Sequence, residues 1–254
     1  MKNFIYIMLF LISPIILNAE INRVNFVGNN WCPQHCINDK KKPGYLVEIA
    51  QEALNAVEIS SSMTFQPWLR AIHVVNTGIY DGLLTPSQSE EKQLIRHSIS
   101  LASQRFCFYS KKDTSIKLQE LQDFNHKSIA FTKGNNLGKE FMTYIQDINN
   151  NISLTELVSN NEEFAPRIFK FLLKERVDAI AITEDFGDYY LGLNPSIKKE
   201  IQKQYCTNKE PLHIGLSHSN KDRSYKISKK IDEGLSIIKQ NGTYDKILKK
   251  YFLK

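Results

Sequence analysis

Short apolar runs alternate with amphipathic stripes along most of this chain, and that alternation restricts its fold more than any other feature. Residues 24–27 read as a strand, followed by a turn at Gly28-Asn29-Asn30. Leu46, Ile49, Ala50, Ala53, Leu54 and Val57 then recur at helical spacing, which puts them on one face. Residues 63–65 read as a strand, 68–75 as a short helix closed by Gly78, and 80–85 as a third strand. A β-α-β-α-β order favours a mostly parallel sheet with helices on its faces. Near residue 100 the pattern shifts to a longer extended stretch, 104–109, and a second unit begins. It has a strand at 128–132, the turn Lys133-Gly134-Asn135-Asn136 and a helix from Leu137. Phe164, Ile168, Phe171 and Leu172 mark another helix, followed by apolar strand 177–182 and a further strand at 212–216. Two C-terminal helical faces carry Ile227, Ile231, Leu235 and Ile238, then Tyr244, Ile247, Leu248 and Tyr251. No Pro/Gly/Ser linker separates the two α/β units, which predicts a tight hinge made of crossing strands.

The 254 residues are 42% hydrophobic and 24% charged, a globular composition that excludes disorder and low-complexity fibre. The formal charge is +6, but lysine pairs such as Lys111-Lys112 and Lys229-Lys230 are spread among acids. That describes a solvated, mildly basic surface and not the single stripe of a nucleic-acid binder, so no nucleic-acid partner is expected. Residues 1–19 have Lys2, an apolar run from Phe4 to Leu17 broken by Ser13 and Pro14, and Ala19 before Glu20. This reads as a secretory signal peptide, with an uncleaved anchor as the competing reading. No Cys follows the expected cut, so a lipid anchor is not indicated, and the exported part is expected to be soluble.

Export bears on the cysteines. Cys32, Cys36, Cys107 and Cys206 are even in number, and an oxidising compartment favours disulfides. Four cysteines allow three pairings; one closes a local ring between Cys32 and Cys36 and leaves Cys107 with Cys206. The competing reading is a soft-metal site, because His35 lies inside Cys32-Pro33-Gln34-His35-Cys36. That spacing lacks the second ligand pair of structural zinc sites, so disulfides are expected and no metal. No nucleophile elbow, zinc helix or phosphate loop is present, and no cofactor is expected.

The C-terminal stretch Ile238-Lys239-Gln240-Asn241-Gly242-Thr243-Tyr244-Asp245-Lys246-Ile247-Leu248 resembles the signature of periplasmic amino-acid-binding proteins. Tyr80-Asp81-Gly82-Leu83-Leu84 and Arg176-Val177-Asp178-Ala179 occur in that family's order, and Pro67-Trp68-Leu69-Arg70-Ala71-Ile72 and Cys107-Phe108-Tyr109 resemble a sub-branch. Across residues 20–254 the chain is similar to a family 3 (type II) solute-binding protein of an ABC importer. The resemblance implies an α/β, two-lobe, periplasmic-binding-protein-like fold with a hinge of crossing strands. Lobe 1 is expected over 20–104 plus 211–254, with lobe 2, residues 105–210, inserted. Cys107 and Cys206 then fall near the two crossings and are expected to be bonded there. It further implies a periplasmic monomer that captures a small polar, amino-acid-like solute and delivers it to an inner-membrane ABC permease. Two alternatives are a ligand-sensing module for a membrane receptor and a dehydratase-like enzyme using Arg70, Glu184 and His73.

Candidate ligand residues lie where strands end, the usual binding edge of open α/β sheets. Trp31 and Trp68 follow two such ends, and Arg70 starts a helix where its fork suits a carboxylate. Thr85 and Ser87 match the family's hydroxyl-bearing cleft loop. Asn135 and Asn136 open a helix, where anion contact competes with simple N-capping. Thr183 and Glu184 follow the apolar strand, where family members place an acid for the ligand's amine. The sequence departs from the family at both anchors. Lys92 or Gln93 stands where a clamping Arg is usual, and Thr183 stands at the position of the amine-binding Asp. If the ligand is anionic, a cation must replace the clamp; Arg70 is expected to do so, with Lys92 as the next candidate.

Overall fold

The computed structural model describes residues 20–252, apart from 38, 87–91, 136 and 160–162. The expected leader and two site candidates, Ser87 and Asn136, lie outside the described residues. The first α/β unit runs β1 (Arg23–Gly28), α1 (Tyr45–Asn55), β2 (Ser60–Phe65), α2 (Trp68–Asn76), β3 (Gly82–Leu84) and β4 (Ile95–Arg96). Strands β5 (Ala102–Gln104) and β6 (Phe106–Lys111) lead to β7 (Ser128–Thr132), α3 (Lys139–Tyr144), β8 (Ser153–Leu157), α4 (Phe164–Leu173) and β9 (Ala179–Thr183). The chain continues through α5 (Glu184–Leu193), α6 (Pro195–Glu200), β10 (Ile201–Cys206), β11 (Glu210–Leu212) and β12 (Ile214–Leu216). It closes with α7 (Lys221–Gln240) and α8 (Thr243–Phe252).

These strands form two five-stranded sheets, ordered β2-β1-β3-β12-β4 and β10-β6-β9-β7-β8, joined by the pair β11-β5. Parallel pairing of β1 with β2 and β3, and of β7 with β8 and β9, gives each sheet the expected parallel centre. The antiparallel pairings are β12 with β3 and β4 in the first sheet, and β6 with β9 and β10 in the second.

The crossings differ from the sequence expectation in an informative way. Residues 104–109 and 212–216 each read as one extended stretch, but each is two strands that change sheet at a single residue, Arg105 or His213. Before the break Gln104 pairs with Glu210 and Ala102 with Leu212; after it Phe106 joins the second sheet and Ile214 the first. Apolar patterning cannot report a change of sheet at a single residue, because the chain is extended on both sides of it. The edge strands β4, β8 and β10 carry too little alternation to be read from sequence; β8, for example, is mostly exposed along its length.

Two family-like motifs are structural. The Asp81 carboxylate accepts from Asn25 N–H at 2.8 Å and from Arg223 Nε at 2.7 Å, tying β1 to α7. Asp178 Oδ2 accepts from both Ser128 N–H and Ser128 Oγ at 2.7 Å, which locks the entries of β7 and β9 together. β3 and β9 begin just after these aspartates, later than their apolar runs. The predicted stripe on α1 packs against Ile227, Ile231, Leu235 and Ile238 of α7. In the second unit Phe108, Phe124 and Phe141 meet with ring centroids 4.6–5.1 Å apart.

Both disulfides join the expected cysteines, Cys32 to Cys36 and Cys107 to Cys206. The second links facing positions of β6 and β10 and closes a loop of 99 residues. In the chain-entropy model such a closure restricts the unfolded state by up to about 4–5 kcal/mol. Among the described residues no helix is long and apolar enough to cross a membrane.

Helices α1 and α7 approach so closely that a Cβ on Gly234 would lie 1.8 Å from the Ala53 carbonyl oxygen. Gly234→Ala must push the helices apart. It is expected to lower stability by about 1–3 kcal/mol despite alanine's better helix propensity, as read by thermal or urea unfolding.

Candidate functional site

A cleft of about 700 Å³, counted out to its solvent mouth, lies between the two sheets. One wall comes from turns after first-sheet strands: Asn29, Trp31, Gln34 and His35 after β1, Trp68 at the start of α2, and Thr85 and Pro86 after β3. The other comes from the second sheet, with Thr132 and Asn135 at the end of β7, Ser159 beyond β8 and Thr183 at the end of β9. The crossing strands supply the floor: Gln104, Phe106, Glu210, Pro211 and Leu212.

The turn after β1 is built tightly. Trp31 N–H donates to His35 O at 2.7 Å, and Gln34 and His35 N–H groups return to Trp31 O. The Cys32–Cys36 bond closes this ring, and Tyr45 and Leu46 N–H groups at the start of α1 donate to Pro33 O and Gln34 O. Gly44, at φ +113°, permits the approach: a Cβ there would meet Gln34 O at 2.2 Å. The ring therefore holds two side chains in the cleft wall. His35 is buried, with Nδ1 3.2 Å from Asn29 O and Nε2 3.0 Å from Thr85 Oγ1. Both its nitrogens are engaged and both sulfurs are bonded, which closes off the metal reading of this segment. Thr85 itself sits at φ +48°, a left-handed conformation that is strained for a β-branched residue and is held by His35.

Trp31 leaves the first unit altogether. Its indole stacks on Phe186 with centroids 4.1 Å apart, lies 5.6 Å from Phe164, and donates Nε1–H to Thr183 Oγ1 at 2.8 Å. It is 6% exposed and belongs to the apolar core of the second sheet. A parallel contact runs from Tyr45 on α1, whose hydroxyl donates to Asp185 Oδ2 on α5 at 2.6 Å. Burial raises the Asp185 carboxyl above its usual range.

The structure brings Trp31, Trp68, Thr85, Asn135 and Thr183 to one cleft. It does not bring Arg70 there: that residue is exposed on α2 and absent from the lining. Nor does Glu184 line the cleft. Arg105 grips it through two bonds of 2.7 Å and Lys203 Nζ sits at 2.9 Å. The Arg105 bonds, helped by Lys203, hold the Glu184 carboxyl at about 2. Sequence reasoning missed Gln34, His35, Gln104, Thr132 and Glu210. The first two could have been suspected from the Cys32–Cys36 ring. Gln104 and Glu210 carry no local signal, because only the pairing of β5 with β11 brings them together.

Two side chains of the cleft can be tested directly. Thr183→Val keeps the shape but strands the buried Trp31 N–H, which is expected to cost about 1–3 kcal/mol in denaturant unfolding. His35 is held at about 4 by burial, below its usual 6.5. Above pH 6.5 the ring is neutral whether folded or unfolded. Between 6.5 and 4 the unfolded chain takes up the proton first, so stability falls by about 3 kcal/mol at this site. Urea titrations are expected to show a steeper acid loss for the wild type than for His35→Gln.

Comparison with known proteins agrees with this architecture. The structure resembles an ancestral arginine-binding protein bound to arginine, at TM-score 0.73 and 18% identity, covering 91% of this chain and 98% of that one. It also resembles a histidine kinase sensor domain similar to periplasmic binding proteins, at TM-score 0.74 and 14% identity, covering 92% and 97%. A third likeness, at TM-score 0.70 and 18% identity over 91% and 96%, is an ancestral amino-acid-binding protein described as a precursor of cyclohexadienyl dehydratase. At these identities the likeness carries the fold, two lobes of the type II periplasmic-binding class. No curated protein sequence matches the chain. The sequence does match one family along nearly its whole length, residues 25–254, and the chain belongs to the bacterial extracellular solute-binding proteins, family 3.

Proposed function

We propose that this protein captures a small polar solute between its two lobes and presents the closed form to the permease of an ABC importer. The observation that carries the reading is the cleft itself, which takes residues from strand ends of both sheets and from the crossing strands between them. Lobe 1 is proposed over 20–104 plus 211–254 and lobe 2 over 105–210, with changes of sheet at Arg105 and His213 acting as the hinge. Closing such a cleft desolvates the solute and turns occupancy into a shape that a membrane partner can read. Export through the leader at 1–19 into the periplasm, and action as a monomer, belong to the same proposal. Trp31, Trp68, Thr85, Asn135 and Thr183 are the proposed ligand contacts, joined by Gln34, His35, Gln104, Thr132 and Glu210.

The sensing alternative draws support from the likeness to a histidine kinase sensor domain. The same closed shape would then be read by a receptor, and pull-down against permease or kinase partners separates the two. The acid–base alternative loses its residues: Arg70 and His73 are exposed, and Glu184 is tied to Arg105 and Lys203.

The test uses the protein's own chromophores. Both of its tryptophans, Trp31 and Trp68, line the cleft. A bound solute is expected to change intrinsic fluorescence saturably and to reduce the radius of gyration in small-angle scattering. A panel of amino acids, amines, sugars and organic acids that gives neither response, nor any rise in melting midpoint, would refute the proposal.

A further inference from the structure

The cleft has a lopsided charge. Among its described lining residues Glu210 is the one carboxylate, and none is Lys or Arg. His35 adds no charge at neutral pH, because both ring nitrogens are engaged and burial keeps the ring neutral. Arg105, between the lining residues Gln104 and Phe106, is already bound bidentately by Glu184.

Two positive helix ends, those of α3 and α5, are also taken. Lys139 N–H, the first of α3, donates to Glu210 Oε1 at 3.2 Å. Helix α5 opens with Glu184 and Asp185, so its own acids occupy the end of its dipole. A ligand carboxylate closed into this space would face Glu210 with no Lys or Arg among the described lining residues, and an uncompensated buried charge is costly.

A cation meets a different surface. Trp31, Trp68 and Phe106 give aromatic walls, and aromatic faces attract ammonium groups once water is excluded. Glu210 supplies the countercharge. A second feature points the same way. Thr132 is 3% exposed, lines the cleft, and its hydroxyl has no hydrogen-bond partner among the described residues. A buried hydroxyl without a partner is rare in a finished structure and is the kind of group that a bound solute satisfies.

From this we infer that the solute is an alkylammonium compound without a carboxylate, its N–H groups shared between the Glu210 carboxylate and the Thr132 hydroxyl, and its carbon skeleton packed on Trp68 and Phe106. The inference rests on the solute-binding reading and narrows it, excluding the α-amino acids that the family resemblance implied.

Calorimetry and thermal shift on the exported chain, residues 20–254, test it with putrescine and agmatine as amine probes. Glutamine, arginine and glutamate serve as probes bearing an α-carboxylate. At least one amine is expected to bind and raise the midpoint, while the carboxylate probes do not. Glu210→Gln, which can still accept from Lys139 N–H, is expected to weaken amine binding by at least about 30-fold. Thr132→Val is expected to weaken it by about 5- to 10-fold, with both variants showing the wild-type far-UV spectrum. Binding of any α-carboxylate probe with unchanged affinity in Glu210→Gln would overturn the inference and leave solute capture standing. Failure of both amines would overturn it too, and failure of every class of solute would remove the broader reading with it.

Discussion

One side chain, Trp31, determines how the two halves of this molecule sit. It is anchored in the turn after β1, yet its indole lies in the aromatic core of the second sheet, beside Phe164 and Phe186, with its N–H on Thr183. An indole buried there contributes several kcal/mol through burial alone, and the hydrogen bond makes the position specific. The arrangement works only because the supporting turn is rigid. The Cys32–Cys36 ring, the α1 N-terminus and the close approach of Gly44 each restrict it. The same rigidity aims Gln34 and His35 into the cleft and holds Thr85 in its strained backbone. Packing between the halves and shaping of the site are therefore one problem solved by one loop.

The crossing strands are the second determinant. Arg105 sits at the sheet change between β5 and β6, and its guanidinium clamps Glu184 at the first position of α5. Lys203 on β10 joins Glu184 to Asp188, at 2.9 and 2.7 Å. The Cys107–Cys206 bond lies across the adjoining strands β6 and β10. A covalent link and an ion-pair network thus brace the second sheet where it meets the crossing. Of the two charged residues that looked like ligand anchors in the sequence, neither lines the cleft. Glu184 cannot hold a solute's amine while two cations hold it, and Arg70 lies exposed on α2, outside the cleft lining.

Glu210 occupies the opposite situation. It belongs to the crossing, caps α3 through Lys139 N–H, and lines the cleft where no described residue is Lys or Arg. The protein as a whole carries a formal charge of +6, whereas its site is neutral to acidic. Net charge describes the surface and says nothing about a cleft lined by a small, particular set of side chains.

Much of this was legible in the sequence, for physical reasons that apply residue by residue. The α1 and α7 stripes are set by helical period, so Leu46 to Leu54 and Ile227 to Ile238 could be placed from the order of residues alone. The parallel strand–helix order set the sheet centres, and the positions after those strands, Trp31, Trp68, Thr85, Asn135 and Thr183, follow from where loops emerge. What the sequence could not determine depends on contacts between distant segments. Whether a Trp covers a ligand or fills the neighbouring core depends on what lies 152 positions away. Whether Glu184 is free depends on Arg105 and Lys203, and whether Glu210 faces the cleft depends on β11 finding β5. Periodicity encodes which face of an element is buried; the partner that buries it, and hence the charge left over for chemistry, is decided only when the elements meet.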